Sequence, residues 1–207
     1  MRATDTDTVA AMSDSIPPRR PGRPRSEAAT AAVLEAAWRL CATQGLRGAT
    51  MQAIAAESGV SKMTVYKWWD SRLALLIDAF LQQATAVLPL SRTDPPAEAI
   101  EAHALRYLAA LQGDLGRVQL AVLAECMAET GSSALFVERY LSIRRRLGLA
   151  VIRRGQREGG IRGDRPAEAL YDQIYGTVFY RFQFGLQALN PAFVRALVRE
   201  TLREPSV

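Results

Sequence analysis

The sequence predicts an all-α protein of about nine helices. Apolar residues recur at spacings of three and four along most of the chain, which is the period of amphipathic helices. Gly, and Pro beside Asp or Asn, separate these stretches where helices are expected to end and start. We therefore expect an arm over residues 1–25, a three-helix head over residues 26–72 and a larger helical domain over residues 73–207.

The head contains two short helices around a Ser-Gly turn, within residues 48–72. Thr50 is placed to cap the first of them, Gly59 ends it without the steric penalty of a Cβ atom, and Ser61 caps the second. A longer helix one precedes them, over about Glu27 to Thr43. The residues expected to face inward from helices one and two are Val33, Ala36, Ala37, Leu40, Cys41, Met51, Ile54 and Ala55.

Helix three holds both lysines of the chain, Lys62 and Lys67, whereas its Val65 faces inward. A small polar helix held by a buried corner is the geometry of a helix-turn-helix recognition helix. The alternative is a solvated face of an ordinary helical bundle. Against it, this helix is too short to be stable alone and exposes Tyr66 and Trp68 together. The segment therefore indicates DNA contact.

The head resembles the DNA-binding domain of the TetR family of bacterial transcriptional regulators over roughly residues 26–75. The resemblance implies that the aromatic Trp69 packs the recognition helix and that Arg72 reaches a phosphate. Trp69 replaces the usual Phe, Arg72 the usual Lys, and Trp68 stands where His or Tyr is more common. The matching residues are Thr50, Ile54, Ala55, Gly59, Val60, Ser61, Thr64, Val65, Tyr66, Trp69, Ser71, Arg72 and Leu73.

The expected DNA contacts fall into two classes, base readers and backbone anchors. Base contacts are expected from Lys62, Met63 and Lys67. Backbone contacts are expected from Thr50, Ser61, Thr64, Tyr66, Trp68 and Arg72. Residues 19–72 carry nine Arg or Lys against four acidic residues, a net +5 that equals the formal charge of the whole chain. Such a localised basic surface is typical of phosphate binding.

The arm over residues 1–25 has four prolines and no apolar periodicity, so it is expected to be disordered. Its end, residues 19–25, resembles the Arg-Gly-Arg-Pro core of AT-hooks. An extended Gly-Arg-Pro strand is slim enough for the minor groove, where Arg23 and Arg25 are the better candidates for contact. The alternative is a solvated basic linker that adds only nonspecific attraction.

Helix four joins the head to helices five to nine, and the start and end signals locate all six. Helix four is expected from Ser71 to near Pro89, and the later helices start near Asp94, Gly113, Ser133, Asp164 and Asn190. Helix six is apolar almost all round between Val118 and Ala128 and is expected to be buried. Helix seven is expected to bury Phe136, Tyr140, Ile143, Leu147 and Val151 and to expose Arg144, Arg145 and Arg146.

Helix eight, over about Pro166 to Leu186, carries aromatic residues on two faces, and a single hydrophobic core can bury only one of them. The second face predicts pairing with the same helix of another subunit, with helix nine completing the contact. The alternative is one long core helix with a few exposed aromatics. The residues expected at the homodimer interface are Thr177, Tyr180, Arg181, Phe184, Phe193 and Leu197.

The sequence offers little material for an enzyme. His103 is the only histidine, and Cys41 and Cys126 lack the paired spacing of a zinc site. Both cysteines are read as buried free thiols of a cytoplasmic protein. We therefore expect no catalytic residues, no metal and no cofactor. We also expect no membrane partner, since no stretch approaches a signal peptide or a transmembrane span.

The resemblance to the TetR family implies a small-molecule effector held among the helices after the head. The candidate lining residues are His103, Tyr107, Gln119, Glu125, Cys126, Met127, Tyr140, Tyr175 and Phe179. Each alone is more simply a core residue, and together they favour an apolar or aromatic effector. A carboxylate inside an apolar helix usually has a partner, so Glu125 is expected to pair with Arg106, His103 or a cationic ligand.

These observations predict a cytoplasmic, nucleoid-associated homodimer that binds a palindromic operator as a repressor. An effector would release it by favouring an incompatible spacing of the two heads. Two alternatives remain. The protein could activate transcription, or it could bind DNA without an effector as an architectural or division-linked factor.

Overall fold

The computed structural model describes residues 26–186 and 189–203, and within these ranges the chain forms nine helices and no strand. The all-α prediction is confirmed. The helices are α1 (Glu27–Gly48), α2 (Met51–Ser58), α3 (Lys62–Trp68), α4 (Arg72–Val87), α5 (Pro96–Leu111), α6 (Asp114–Thr130), α7 (Ala134–Phe136, a π-helical turn Val137–Leu141, then Ser142–Arg157), α8 (Ala167–Gln183) and α9 (Pro191–Leu202). Arg23 and Arg25 lie outside the described residues.

The helix starts in the head are fixed by hydroxyl side chains. The hydroxyl oxygens of Thr50, Ser61 and Ser71 each accept a backbone N–H from three residues further on, at 3.1–3.2 Å. Gly59 ends α2 in the left-handed conformation with φ 67°, which permits the sharp turn into α3. α1 leaves helical geometry at Gly45, near its predicted end, and one more turn follows.

Helix α4 is buried along most of its length, because it packs against α1 of the head on one side and against α6 and the π-helical turn of α7 on the other. Its buried residues belong to one apolar core that continues from the head into the larger domain. The head is therefore attached through a packed helix. The buried residues of α4 are Leu73, Ala74, Leu75, Leu76, Ile77, Ala79, Phe80 and Ala84.

The predicted facing of α7 is wrong in its second half. Arg144 is buried and Leu147 is exposed, the reverse of the expectation. The cause is the π-helical turn Val137–Leu141, which holds one residue more than an α-helical turn. Every later residue therefore faces about 100° away from the direction that an unbroken α-helix would give it. The inward stripe therefore passes from Tyr140 to Arg144, Gly148 and Ile152.

Helix α6 is less central than predicted. One face, including Val118, Val122 and Cys126, packs against α1, α4 and α5, while Ala124 and Met127 are exposed. Small and apolar residues on its outer face made the sequence pattern look buried all round. None of the helices in residues 26–186 and 189–203 has the length and apolar character needed to cross a membrane.

Helices α8 and α9 close the larger domain. α8 packs against α5, α7 and α9 through Tyr171, Ile174, Tyr175 and Val178, and α9 lies on α5. Helix α8 ends at Gln183 rather than Leu186. Its second face remains open to solvent over its last turns.

Two glycines inside helices should respond oppositely to alanine. A Cβ atom at Gly148 would overlap the ring of Tyr171, whereas one at Gly176 would meet nothing within 4 Å. Gly148→Ala should lower the free energy of unfolding by about 1–3 kcal/mol. Gly176→Ala should raise it by about 0.5–1 kcal/mol, because alanine loses less backbone entropy in a helix. Urea denaturation measures both, and a change of the same sign in the two variants would contradict the packing described for α7.

Candidate DNA-binding surface and ligand cavity

Helix α3 presents a continuous exposed face. Val65 is fully buried and anchors the helix to the head, and its neighbours Met63 and Tyr66 are 84% and 51% exposed. Lys62 and Lys67 lie on the same exposed side. The Lys62 ammonium lies 5.8 Å from the ring centre of Tyr66, so the two side chains form one cationic and aromatic surface.

Hydroxyl groups stand at the starts of α2 and α3, beside this face. Thr50 is exposed and caps α2. Ser61 caps α3 and its Oγ lies 2.8 Å from Oγ1 of the half-buried Thr64. Helix N-termini and their capping hydroxyls are suited to contact phosphate oxygens, because their N–H groups and dipoles attract anions.

Arg72 and Trp68 are placed differently from the exposed residues of α3. Trp68 is half-buried and meets Trp69 edge-on, with ring centres 6.0 Å apart. Arg72 donates from Nη1 to the carbonyl of Leu46 at 2.8 Å and from Nη2 to Glu125. The guanidinium is thus held between the head and α6, and its phosphate contact stays a prediction.

Asp78 of α4 connects the end of α3 to α7. Trp69, which caps α3 at its C-terminus, donates from Nε1 to Asp78 Oδ2 at 2.9 Å. Arg139, in the π-helical turn, donates from Nη1 to both carboxylate oxygens of Asp78 at 3.0 and 2.8 Å. One carboxylate therefore holds the recognition helix and the π-helical turn to the same point of α4.

A cavity of about 590 Å³ lies among α4 to α8 of the larger domain. Its size is that of a drug-sized ligand site, and aromatic and aliphatic side chains dominate its wall. Seven predicted residues line it: His103, Tyr107, Gln119, Met127, Tyr140, Tyr175 and Phe179. Residues that the sequence analysis did not assign to it include Leu88, Leu123, Phe136, Val137, Leu141, Arg144, Arg145, Tyr171 and Asp172.

Glu125 and Cys126 do not line this cavity. The predicted partners of Glu125 are wrong, because it pairs with Arg72 across the junction between head and larger domain. Cys126 is buried, and its thiol donates a weak hydrogen bond to the carbonyl oxygen of Ser132 at 3.4 Å. Both side chains point away from the cavity because they lie on the faces of α6 turned towards the head and the start of α7.

The polar end of the cavity is built from three side chains. Arg144 donates from Nη2 to the carbonyl of Leu88 at 2.7 Å and lies 2.9 Å from His103 Nε2. Because a guanidinium only donates, His103 Nε2 accepts and His103 Nδ1 carries the proton. That proton is donated to the Tyr175 hydroxyl, 2.8 Å away. The tautomer of His103 is thereby assigned from its two partners.

Burial keeps these groups in one protonation state. Burial, with the positive charges of Arg144 and Arg106, lowers the pKa of His103 from 6.5 to about 3. Burial raises the pKa of Tyr175 and of Tyr107 well above 10. The histidine and both tyrosines are therefore neutral at pH 7, and Tyr107 is further held by Gln119, whose Nε2 lies 3.1 Å from its hydroxyl.

The last turns of α8 expose an aromatic pair. Tyr180 and Phe184 are 58% and 60% exposed, with ring centres 5.1 Å apart. Beside them the Arg181 guanidinium stacks on the ring of Phe193 from α9, at 4.4 Å. Thr177 and Leu197, the other residues predicted for a subunit interface, are half-buried.

Family models match both parts of the chain. Residues 33–79 match the model of bacterial regulatory proteins of the tetR family, and residues 91–201 match the tetracyclin repressor-like C-terminal domain. The chain belongs to the TetR family. It is a DNA-binding transcriptional regulator with the family's all-α fold.

Individual TetR-family relatives agree over nearly the whole chain. The uncharacterized HTH-type transcriptional regulator YdeS of Bacillus subtilis (strain 168) is 31% identical over 182 residues, covering 88% of this chain and 92% of YdeS. The crystal structure of the TetR family regulator SCO0332 is 30% identical, with a TM-score of 0.74 over 84% of this chain and 96% of that one. A TetR regulator from Agrobacterium tumefaciens is 28% identical, with a TM-score of 0.59 over 86% and 91% of the two chains.

Replacing His103 with Gln should flatten the acid dependence of stability. The pKa of His103 is about 3 in the folded protein against 6.5 for the free side chain, so between these values the unfolded chain binds more protons. The stability conferred by neutral His103 is present above pH 6.5 and is lost as the pH falls, by about 1.4 kcal/mol per pH unit once the pH is well below 6.5.

Urea denaturation at a series of pH values between about 7 and 4.5 measures this slope. Gln preserves one acceptor for Arg144 and one donor for Tyr175 without titrating. Asp114→Asn, at an exposed site, is the control for a general change in charge. Equal slopes for the wild-type protein and the His103→Gln variant would contradict the neutral, buried state of His103.

Proposed function

We propose that this regulator is a homodimeric repressor that leaves a palindromic operator when a small molecule fills the cavity. The observation that carries the proposal is the series of contacts from the cavity wall to the recognition helix. Val137, Tyr140 and Leu141 of the π-helical turn line the cavity. Arg139 of the same turn binds Asp78, and Asp78 accepts from Trp69 at the end of α3.

A second set of contacts reaches the head through α6. Gln119, Leu123 and Met127 of α6 line the cavity, and Glu125 of the same helix binds Arg72, the first residue of α4. α4 is thus tied to two walls of the cavity. A ligand that moves either wall changes where α4 holds the head, and the coupling acts through these contacts.

The operator contacts follow from the exposed face of α3. Lys62, Met63 and Lys67 are proposed to read base edges in the major groove. The remaining candidates, Thr50, Ser61, Thr64, Tyr66, Trp68 and Arg72, are proposed to contact the backbone, for which Arg72 must leave Leu46 and Glu125. If Arg72 exchanges Glu125 for a phosphate when the head binds DNA, then DNA binding is coupled to the position of α6 through Arg72.

The exposed aromatic face of α8 is proposed to be the dimer contact. Tyr180 and Phe184 form a patch that a second subunit would cover, with the Arg181–Phe193 stack and Leu197 at its edge. Two α3 helices about one DNA turn apart then read the two halves of a palindrome. Because a palindromic operator lies on the chromosome, we propose that the regulator is cytoplasmic and associated with the nucleoid.

Binding to the intergenic DNA upstream of its own gene tests the proposal. Footprinting across a salt series should show a protected palindrome and an affinity that falls steeply with salt. Equal and weak binding to random DNA would argue for an architectural role. A protected site at which transcription rises on binding would identify an activator.

Lys67→Ala and Tyr66→Ala should differ in kind. Loss of a base contact by Lys67 should change sequence preference, with about 1–3 kcal/mol lost at one operator position. Loss of Tyr66 should weaken all operators alike. Selection of binding sites from a random DNA library measures both, and Arg92→Ala, which removes a charge from an exposed loop, is the control. An unchanged sequence preference for the Lys67 variant would overturn the division.

Asp78→Asn should lower operator affinity about fivefold or more, because the Arg139 pair and the Trp69 contact no longer set the position of α3 on α4. The matched control is Asp114→Asn, which breaks the exposed pair with Arg117 at 2.6 Å, remote from α3. Fluorescence anisotropy with labelled operator measures the two affinities. Equal affinities would show that Asp78 does not connect α7 to DNA binding.

A further inference from the structure

Arg144 is a buried cation without a carboxylate partner among the described residues. The residue is 8% exposed, and its recorded contacts are the Leu88 carbonyl and His103 Nε2, both made from Nη2. Both partners are neutral. Burying a charged group away from an opposite charge is unfavourable, and proteins normally pair such groups.

Neighbouring arginines of α7 show the usual arrangement. Arg139 binds Asp78, and Arg145 binds Asp172 through two hydrogen bonds of 2.7 and 2.8 Å. Arg145 and Asp172 also line the cavity, but they neutralise each other. The charge of Arg144 therefore remains as the uncompensated charge of the described cavity wall.

The groups at this end of the cavity offer donors. Nη1 and Nε of Arg144 make no hydrogen bond to another described residue. Since His103 donates from Nδ1 to the Tyr175 oxygen, the Tyr175 hydroxyl proton is free to point elsewhere. A guanidinium and a hydroxyl proton complement a group that only accepts, and a carboxylate is such a group.

We propose that the cavity binds an organic carboxylate, with the anionic oxygens on Arg144 and Tyr175 and an aromatic or aliphatic body against the apolar wall. This proposal rests on the cavity being the effector site proposed above, and it names the chemical class of the effector. The body would lie among residues such as Phe136, Tyr171 and Phe179. This proposal adds an anionic group to the apolar or aromatic effector expected from the sequence.

The same arginine connects the carboxylate to helix α4. Leu88 is the C-cap residue of α4, and its carbonyl lies at the negative end of the helix dipole. Arg144 Nη2 donates to that carbonyl in the structure. A carboxylate that draws the guanidinium towards itself weakens this contact, so binding of the anion alters how α4 is held at the end opposite Arg72.

Matched acids and amides test the proposal on the full-length protein. The probes are 1-naphthaleneacetic acid, 4-phenylbutyric acid and decanoic acid, each with its own primary amide, in isothermal titration calorimetry at about pH 7.5, where the acids are ionised. At least one acid should bind about tenfold or more tightly than its amide, because a charged, buried hydrogen-bonded pair is lost with the amide.

Variants assign that preference to the proposed residues. Arg144→Met should abolish the difference between acid and amide, and Tyr175→Phe should reduce it. Arg146→Met is the matched control, since Arg146 is an exposed arginine two residues along the same helix, and it should leave the difference unchanged. If Arg144→Met melts below the assay temperature, Arg144→Gln serves instead, because its amide can still donate a hydrogen bond to the Leu88 carbonyl but carries no charge.

Three outcomes overturn the proposal: amides binding as well as acids in every pair, no acid binding up to roughly 1 mM, or a preference for acid that survives in the Arg144 variants. Release from operator DNA is measured separately with the same probes. Acids that bind through Arg144 without releasing DNA would uphold the carboxylate site and refute effector release. Release by a neutral compound alone would do the opposite.

Discussion

The structure depends on the burial of α4 between two groups of helices. Phe80, Leu75 and Ile77 are fully buried and belong to one core that runs from the head into the larger domain. Because protein interiors are close-packed, a helix in this position cannot shift without displacing its neighbours on both sides. The recognition helix therefore has its orientation set by a core that it shares with the cavity wall.

Polar contacts also join α4 to the larger domain at defined positions. Arg72, Asp78 and Leu88 mark the beginning, middle and end of α4, and each is joined to a different part of the larger domain. Each contact includes a charged group that is at least half-buried, where electrostatic interactions are screened less than at the surface. The larger domain thus holds α4 by polar contacts at three separate points along its length.

Local chemistry made much of this predictable from sequence. The caps Thr50, Ser61 and Ser71 and the left-handed Gly59 depend on residues within one turn, so the helix-turn-helix was located correctly. The partner of Glu125 was not, because it lies 53 positions away on α4 and only the packing of α6 brings it close. The inward position of Arg144 was missed because periodicity assumes an unbroken helix. The sequence could have predicted Tyr171 as a cavity residue, since it lies one turn before Tyr175 on the same face of α8.

The π-helical turn of α7 has an evolutionary consequence. Inserting one codon directly after Val137–Leu141, with the π-helical turn kept, would rotate the rest of α7 by about 100°, move Arg144 out of its buried position and bring Ile143 and Leu147 to the inside. The cavity would exchange its cationic end for an aliphatic wall without any amino-acid replacement. Insertion or loss of a single residue in one helix is thus a route by which descendants of such a regulator could move from one chemical class of signal to another.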